Sequence, residues 1–94
     1  MKEKRSFPRK GILSFVFYSS REESIEGLGR ILNLSNSGVL IESVKELKAP
    51  LRLELDIAIK ETIYHVKGTV IWTKRKGDRY LVGVAFDKPQ EFMI

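Results

Sequence analysis

The sequence predicts an all-β fold, a six-stranded antiparallel β-barrel ending in at most a short C-terminal helical turn. Three observations predict it. Apolar residues alternate at period two along several stretches, clusters of turn formers separate those stretches, and no segment carries an amphipathic helical pattern of normal length. A chain of 94 residues, 43% hydrophobic, builds one small core. Closing the sheet on itself packs such a core and removes exposed strand edges.

The first strand runs from Leu13 to Tyr18, where Leu13, Phe15 and Phe17 form the more apolar of two faces and Ser14, Val16 and Tyr18 the other. The polar run Ser19 to Ile25 is a turn or loop. Leu28, Arg30, Leu32 and Leu34 then alternate with Gly29, Ile31 and Asn33, giving a second strand that ends near Leu34. Ser35, Asn36, Ser37 and Gly38 form a turn-rich tetrad before a short apolar strand, Val39 to Glu42, so strands two and three pair as a hairpin. The stretch Ser43 to Pro50 is charged, and Pro50 marks a new start. From Leu51 to Ile59 the alternation is clean, with Leu51, Leu53, Leu55, Ile57 and Ile59 on one face and Arg52, Glu54 and Asp56 on the other. After a turn at Lys60 to Thr62, a long fifth strand spans Ile63 to Thr73, its Val66, Gly68, Val70 and Trp72 sharing a face. Lys74 to Arg79 reads as a basic loop, and Tyr80 to Phe86 as the sixth strand. Pro89 suits the first turn of a helix, which places the short helical turn in the tail from Lys88 to Ile94.

Composition narrows the function. There is no cysteine and one histidine, so neither a disulfide framework nor a tetrahedral zinc set can be assembled, and no metal site is expected. The N-terminus is charged with no long apolar run behind it, which argues against a signal peptide or membrane insertion and for a cytoplasmic setting. Seventeen basic and twelve acidic residues give a net charge of +5. Its placement is uneven: residues 1–10 hold five cations against one anion, leaving twelve against eleven over the remaining 84. A basic arm, residues 1–10, therefore precedes a nearly neutral barrel domain, residues 11–94, and points to an anionic partner met at one place.

Catalysis is not expected. His65 lies within the fifth strand with no cysteine or serine elbow to serve, and Glu54 and Asp56 sit where a solvated strand face puts carboxylates. Gly27 and Gly29 lack the third glycine of a phosphate loop, and Asn33-Leu34-Ser35 matches a glycosylation acceptor with no secretory signal to use it. Two constellations remain. Arg5 and Arg9 lie four apart in Arg5-Ser6-Phe7-Pro8-Arg9, where Pro8 holds Phe7 extended. Their Cα atoms then reach up to about 14 Å apart, room for two guanidinium forks around one medium-sized ligand. Each fork can grip a phosphate, pair with guanine O6 and N7, or stack on a base. In the second, Asn33-Leu34-Ser35-Asn36-Ser37-Gly38, Asn33 and Ser35 point away from Leu34, and Gly38 permits positive φ and close approach to backbone.

In this order and spacing the two constellations resemble those of the PilZ domain family, recognised by an RxxxR arm followed about two dozen residues later by (D/N)xSxxG on a six-stranded barrel. The stretches Gly68-Thr69-Val70-Ile71-Trp72 and Val82-Gly83-Val84-Ala85-Phe86 also look like that family's last two strands. The resemblance spans essentially the whole chain. It implies a bacterial effector or adaptor that binds cyclic di-GMP without catalysis or a further cofactor. On that basis Arg5 and Arg9 are the anion and base clamps, Asn33 and Ser35 the polar readers, and Gly38 the backbone position. Lys4, beside the first arginine, and Trp72, as a stacking wall for guanine, are secondary candidates. Ligand is expected to fold residues 4–10 over the barrel mouth and so alter a surface offered to a protein partner. Asn33 stands where aspartate is commoner, exchanging a charged acceptor for an amide that also donates. The family's C-terminal helix is at best one or two turns here.

Two other functions fit parts of the pattern. One is a barrel binding single-stranded nucleic acid, which needs several aromatics on an exposed face. Phe15, Phe17 and Phe86 share faces with aliphatics and are expected in the core, which argues against it. The other is a PilZ-like interaction module without ligand, against which the intact arginine pair stands.

Overall fold

The computed structural model describes residues 14–92. They form six antiparallel strands: β1 (Ser14–Ser20), β2 (Ile25–Leu34), β3 (Gly38–Ser43), β4 (Leu51–Ile59), β5 (Thr62–Lys76) and β6 (Arg79–Phe86). The sheet closes in the order β1-β2-β3-β6-β5-β4, with β1 pairing both β2 and β4. This is the predicted barrel.

The expected alternation holds in β4, whose five aliphatics all point inward and are buried. In β1 the faces are reversed. Val16 and Tyr18 fill the core, while Phe15 and Phe17 are 38% and 42% exposed. The cause lies on the neighbouring strand, where Val16 sits opposite Gly29 and Tyr18 opposite Gly27. A Cβ at Gly27 would lie 2.5 Å from the Tyr18 hydroxyl, so the missing side chain is the space the ring occupies. Turning Phe15 inward would instead bury its partner Arg30, a far costlier arrangement. The Tyr18 hydroxyl is satisfied at the buried Ser43 hydroxyl, 2.7 Å away, which donates in turn to the Lys45 carbonyl at 2.8 Å.

The charged connection after β3 conceals a core residue. Leu47 is fully buried, and its carbonyl accepts a hydrogen bond from the Thr73 hydroxyl. The expected basic loop is a tight hairpin instead: β5 continues to Lys76, and Gly77 turns the chain at φ +63°. No helix forms over residues 87–92. There the backbone donors go sideways rather than back along the tail: Asp87 N–H donates to the Lys67 carbonyl at 2.9 Å and Gln90 N–H to the Asn36 carbonyl at 2.8 Å. Phe92 is buried, its ring 5.0 Å from that of Tyr64 and 6.0 Å from that of Phe86. Among the described residues no helix is long and apolar enough to cross a membrane.

Candidate functional site

Two irregularities build the site. The β2–β3 register slips between Ile31 and Asn33, and the β5–β6 register slips between Val70 and Trp72. An inserted residue reverses the faces of the side chains that follow it. Ile31 and Val70 point into the core, and strict alternation would send Asn33 and Trp72 after them. Instead Leu34 is buried, Asn33 is exposed, and Trp72 is 42% exposed. Trp72 therefore does not share the inward face of Val66, Gly68 and Val70.

The two bulges stand level with one another. Asn33 pairs with Leu40, Leu40 with Gly83, and Gly83 with Trp72, so one row crosses β2, β3, β6 and β5 on the outer face. Three strand spacings separate its ends by about 14 Å. The row floors a groove of about 570 Å³ whose rim is the corner Ser35–Gly38. The Trp72 indole lies flat on Gly83, where a Cβ would stand 2.5 Å from Cε2 and 2.9 Å from Cδ1. Gly83 thus gives the indole a surface to lie on, while its outer face stays exposed. No described side chain lining the groove is charged.

The sequence-predicted polar residues divide into two roles. Nothing among the described residues hydrogen-bonds the side-chain amide of Asn33, which is exposed at the groove. Ser35 is engaged within the turn. Its N–H donates to the Gly38 carbonyl at 3.0 Å, and its hydroxyl accepts from Ser37 N–H at 3.3 Å and donates to the Gly38 carbonyl at 3.4 Å. Gly38 is not in the left-handed region, contrary to expectation. It is required for space, since a Cβ there would meet the Val84 carbonyl oxygen at 2.5 Å. The close approach is that of β6, which binds this corner through Phe86 N–H on the Ser37 carbonyl at 2.9 Å. Leu40 and Gly83 were not singled out as site residues from sequence; a valine-flanked glycine beside a tryptophan strand was the available signal.

Lys4, Arg5 and Arg9 lie outside the described residues. Lys74, Arg75 and Arg79 are exposed and do not line this groove. His65 is exposed, with Nδ1 2.5 Å from Asp56 Oδ1 directly across β4–β5. Among the described residues no cluster of three metal-ligating side chains occurs. Among the described residues the ion pair held by two hydrogen bonds is structural. Arg52 grips Asp87 with two hydrogen bonds of 2.7 and 2.9 Å, tying the tail to β4. Those bonds hold the Asp87 carboxyl below the ordinary carboxylate range and raise the Arg52 guanidinium.

A family model for the PilZ domain matches residues 3–91, nearly the whole chain and including both Arg5 and Arg9. The chain belongs to the PilZ domain family. Among solved structures it is similar to the PilZ domain with c-di-GMP of YcgR from Escherichia coli, with a TM-score of 0.63 over 92% of this chain and 77% of that one. At 12% identity this PilZ likeness is one of fold. A comparison with proteins of curated function found no match.

Proposed function

We propose that this PilZ domain is a bacterial cyclic di-GMP effector of the cytoplasm, a binding module rather than an enzyme. The observation that carries the reading is the neutral groove between the two bulges, with an exposed indole at one end and an unpaired amide at the other. A ligand of two purines and two phosphates needs a stacking wall, a polar edge reader and cations. The exposed Trp72 ring and the Asn33 amide suit the first two, and the family match takes in the two arginines suited to the third. Trp72 stacks on one guanine, Asn33 reads a base edge, Ser35 and Gly38 hold the corner in shape, and Arg5 and Arg9 clamp phosphate and guanine, with Lys4 adding charge. On this reading residues 4–10 fold over the groove as the phosphates neutralise the arginines, and the altered surface regulates a protein partner.

Isothermal calorimetry with cyclic di-GMP, GMP and a short oligonucleotide tests it. Hydrogen bonds to charged groups contribute about 1.5–3 kcal/mol each, so Arg5→Ala or Arg9→Ala should weaken cyclic di-GMP binding about tenfold to a hundredfold without loss of fold. Amides of residues 4–10 should gain exchange protection when ligand is added. Alanine variants that fold and bind as tightly as the parent overturn the site. Tighter binding to longer oligonucleotides with a steep salt dependence overturns the ligand.

A further inference from the structure

We propose a second binding surface on the outer face of β1, β2, β3 and β6, a groove that takes an acidic amphipathic segment of a partner protein. The reversed facing of β1 leaves Phe15 and Phe17 outside, beside Leu28 at 63% exposure and Val44 at 61%. Phe17 pairs with Leu28, and Phe15 with Arg30, so the apolar side chains are contiguous across the two strands. A contiguous exposed apolar patch with a polar rim marks an interaction site more often than isolated exposed residues do.

The shape and charge of the patch select the occupant. Phe15, Leu28 and Val44 line a concavity of about 340 Å³ together with Arg30, Glu42 and Arg79. Leu28 and Arg79 stand on strands two spacings apart, about 10 Å, close to the width of one α-helix with its side chains. Glu42 is occupied by Arg30, whose Nε is 3.5 Å away. Beyond Val44 lies the β5–β6 hairpin, where Asp78 lies 3.8 Å from Arg79 Nε and the three cations Lys74, Arg75 and Lys76 are in excess of it. The apolar floor is thus flanked on one side by a net positive hairpin. A helix with leucine or phenylalanine on one face and carboxylates on the flank satisfies both features. On the other side Phe17 pairs with Asp56, which itself holds His65, so a flat anionic surface such as a bilayer or a nucleic-acid backbone would meet a carboxylate there. The groove lies at a different place from the Trp72 groove, and no residue lines both.

The test is a ¹⁵N-HSQC titration of the full chain with three synthetic 18-residue peptides: an amphipathic helix of leucine and glutamate, the same with lysine for glutamate, and a scrambled version of the first. The glutamate peptide should shift the amides of Phe15, Leu28, Arg30, Val44 and Arg79 and bind at least tenfold more tightly than either control. Leu28→Ser and Arg79→Glu, both at exposed positions, should each weaken it at least fivefold. Val44→Ser replaces either variant that does not fold. Equal affinity for the three peptides, or shifts centred elsewhere, overturns the proposal. So does sedimentation showing that a second copy of the chain covers the patch, or preferential binding to phosphatidylglycerol vesicles.

Discussion

Removing the indole of Trp72 separates ligand recognition from fold, because the residue is half in each. Somewhat more than half of the residue is covered, with Gly83 directly beneath the indole, and 42% of it is exposed. An aromatic side chain buries about 150–250 Å² when enclosed, so Trp72→Ala gives up burial equivalent to about 2–3.5 kcal/mol at most. The exposed face contributes on the ligand side: a stacked base contributes about 1–3 kcal/mol, so the alanine variant should bind cyclic di-GMP about fivefold to a hundredfold more weakly. Trp72→Phe keeps a ring and should retain most of the affinity. Gly83→Ala is the complementary change, leaving the ring in place but driving a methyl into it, and should weaken binding through misplacement. Trp72 is the only tryptophan in the chain. Its fluorescence therefore reports on this position alone, and guanine stacking should quench it along the same curve that calorimetry follows. Unquenched fluorescence at saturating ligand, with Trp72→Ala folded and binding like the parent, would falsify the stacking role.

At the corner, Gly38→Val should destabilise the barrel by about 1–3 kcal/mol or more, because its Cβ meets the Val84 carbonyl and not because of φ; a thermal melt unchanged from the parent contradicts the packing. Ser35→Ala should lower stability by about 0.5–1.5 kcal/mol through its two turn bonds and lower affinity as the corner loosens, so a melt unaffected by this change would return the hydroxyl to a purely ligand-facing role. The Asp87 carboxyl is held below its ordinary range by Arg52, so its stabilisation is complete above that range and is lost as pH falls through about 4 toward the folded value. Asp87→Asn should accordingly lower the melting temperature at pH 7, and the gap to the parent should narrow as pH falls below the ordinary carboxylate range; a gap that does not change with pH counts against the pair.

The barrel was legible because alternation marks four of its strands, β4 above all, and turn formers separate them from the rest. What could not be read was facing. In β1 both faces are apolar, and hydropathy alone favours Phe15 and Phe17 over Val16 and Tyr18. The choice is made by the glycines of β2 and by Arg30, which are cross-strand neighbours and invisible to a local pattern. Leu47 was hidden for a related reason, a single apolar residue among charges whose contacts, the Thr73 hydroxyl on its carbonyl among them, come from distant strands. The tail was read from Pro89 as a helix start, but its donors are claimed by Asn36 and Lys67 from other parts of the barrel.

The site itself was legible as residue types and not as geometry. Asn33 and Trp72 were both named from sequence, yet strict period two puts Asn33 with Ile31 and Trp72 with Val70, on inward faces. Each becomes available only because one extra residue, Leu32 or Ile71, precedes it. A bulge leaves an unpaired residue and bends the strand, a local cost that a ladder of regular pairs avoids. Two such bulges, on the two strands flanking β3 and β6, turn one polar and one aromatic side chain outward onto a single cross-strand row. Between them lie Leu40 and Gly83, a shallow floor on which no charged residue intrudes. A core-packing account explains the first bulge, since Leu34 gains burial from it. It does not explain the second, where the residue displaced from the core is the largest in the chain and is replaced by no equal. Exposing an indole that alternation would have buried makes sense where a planar partner completes the stack.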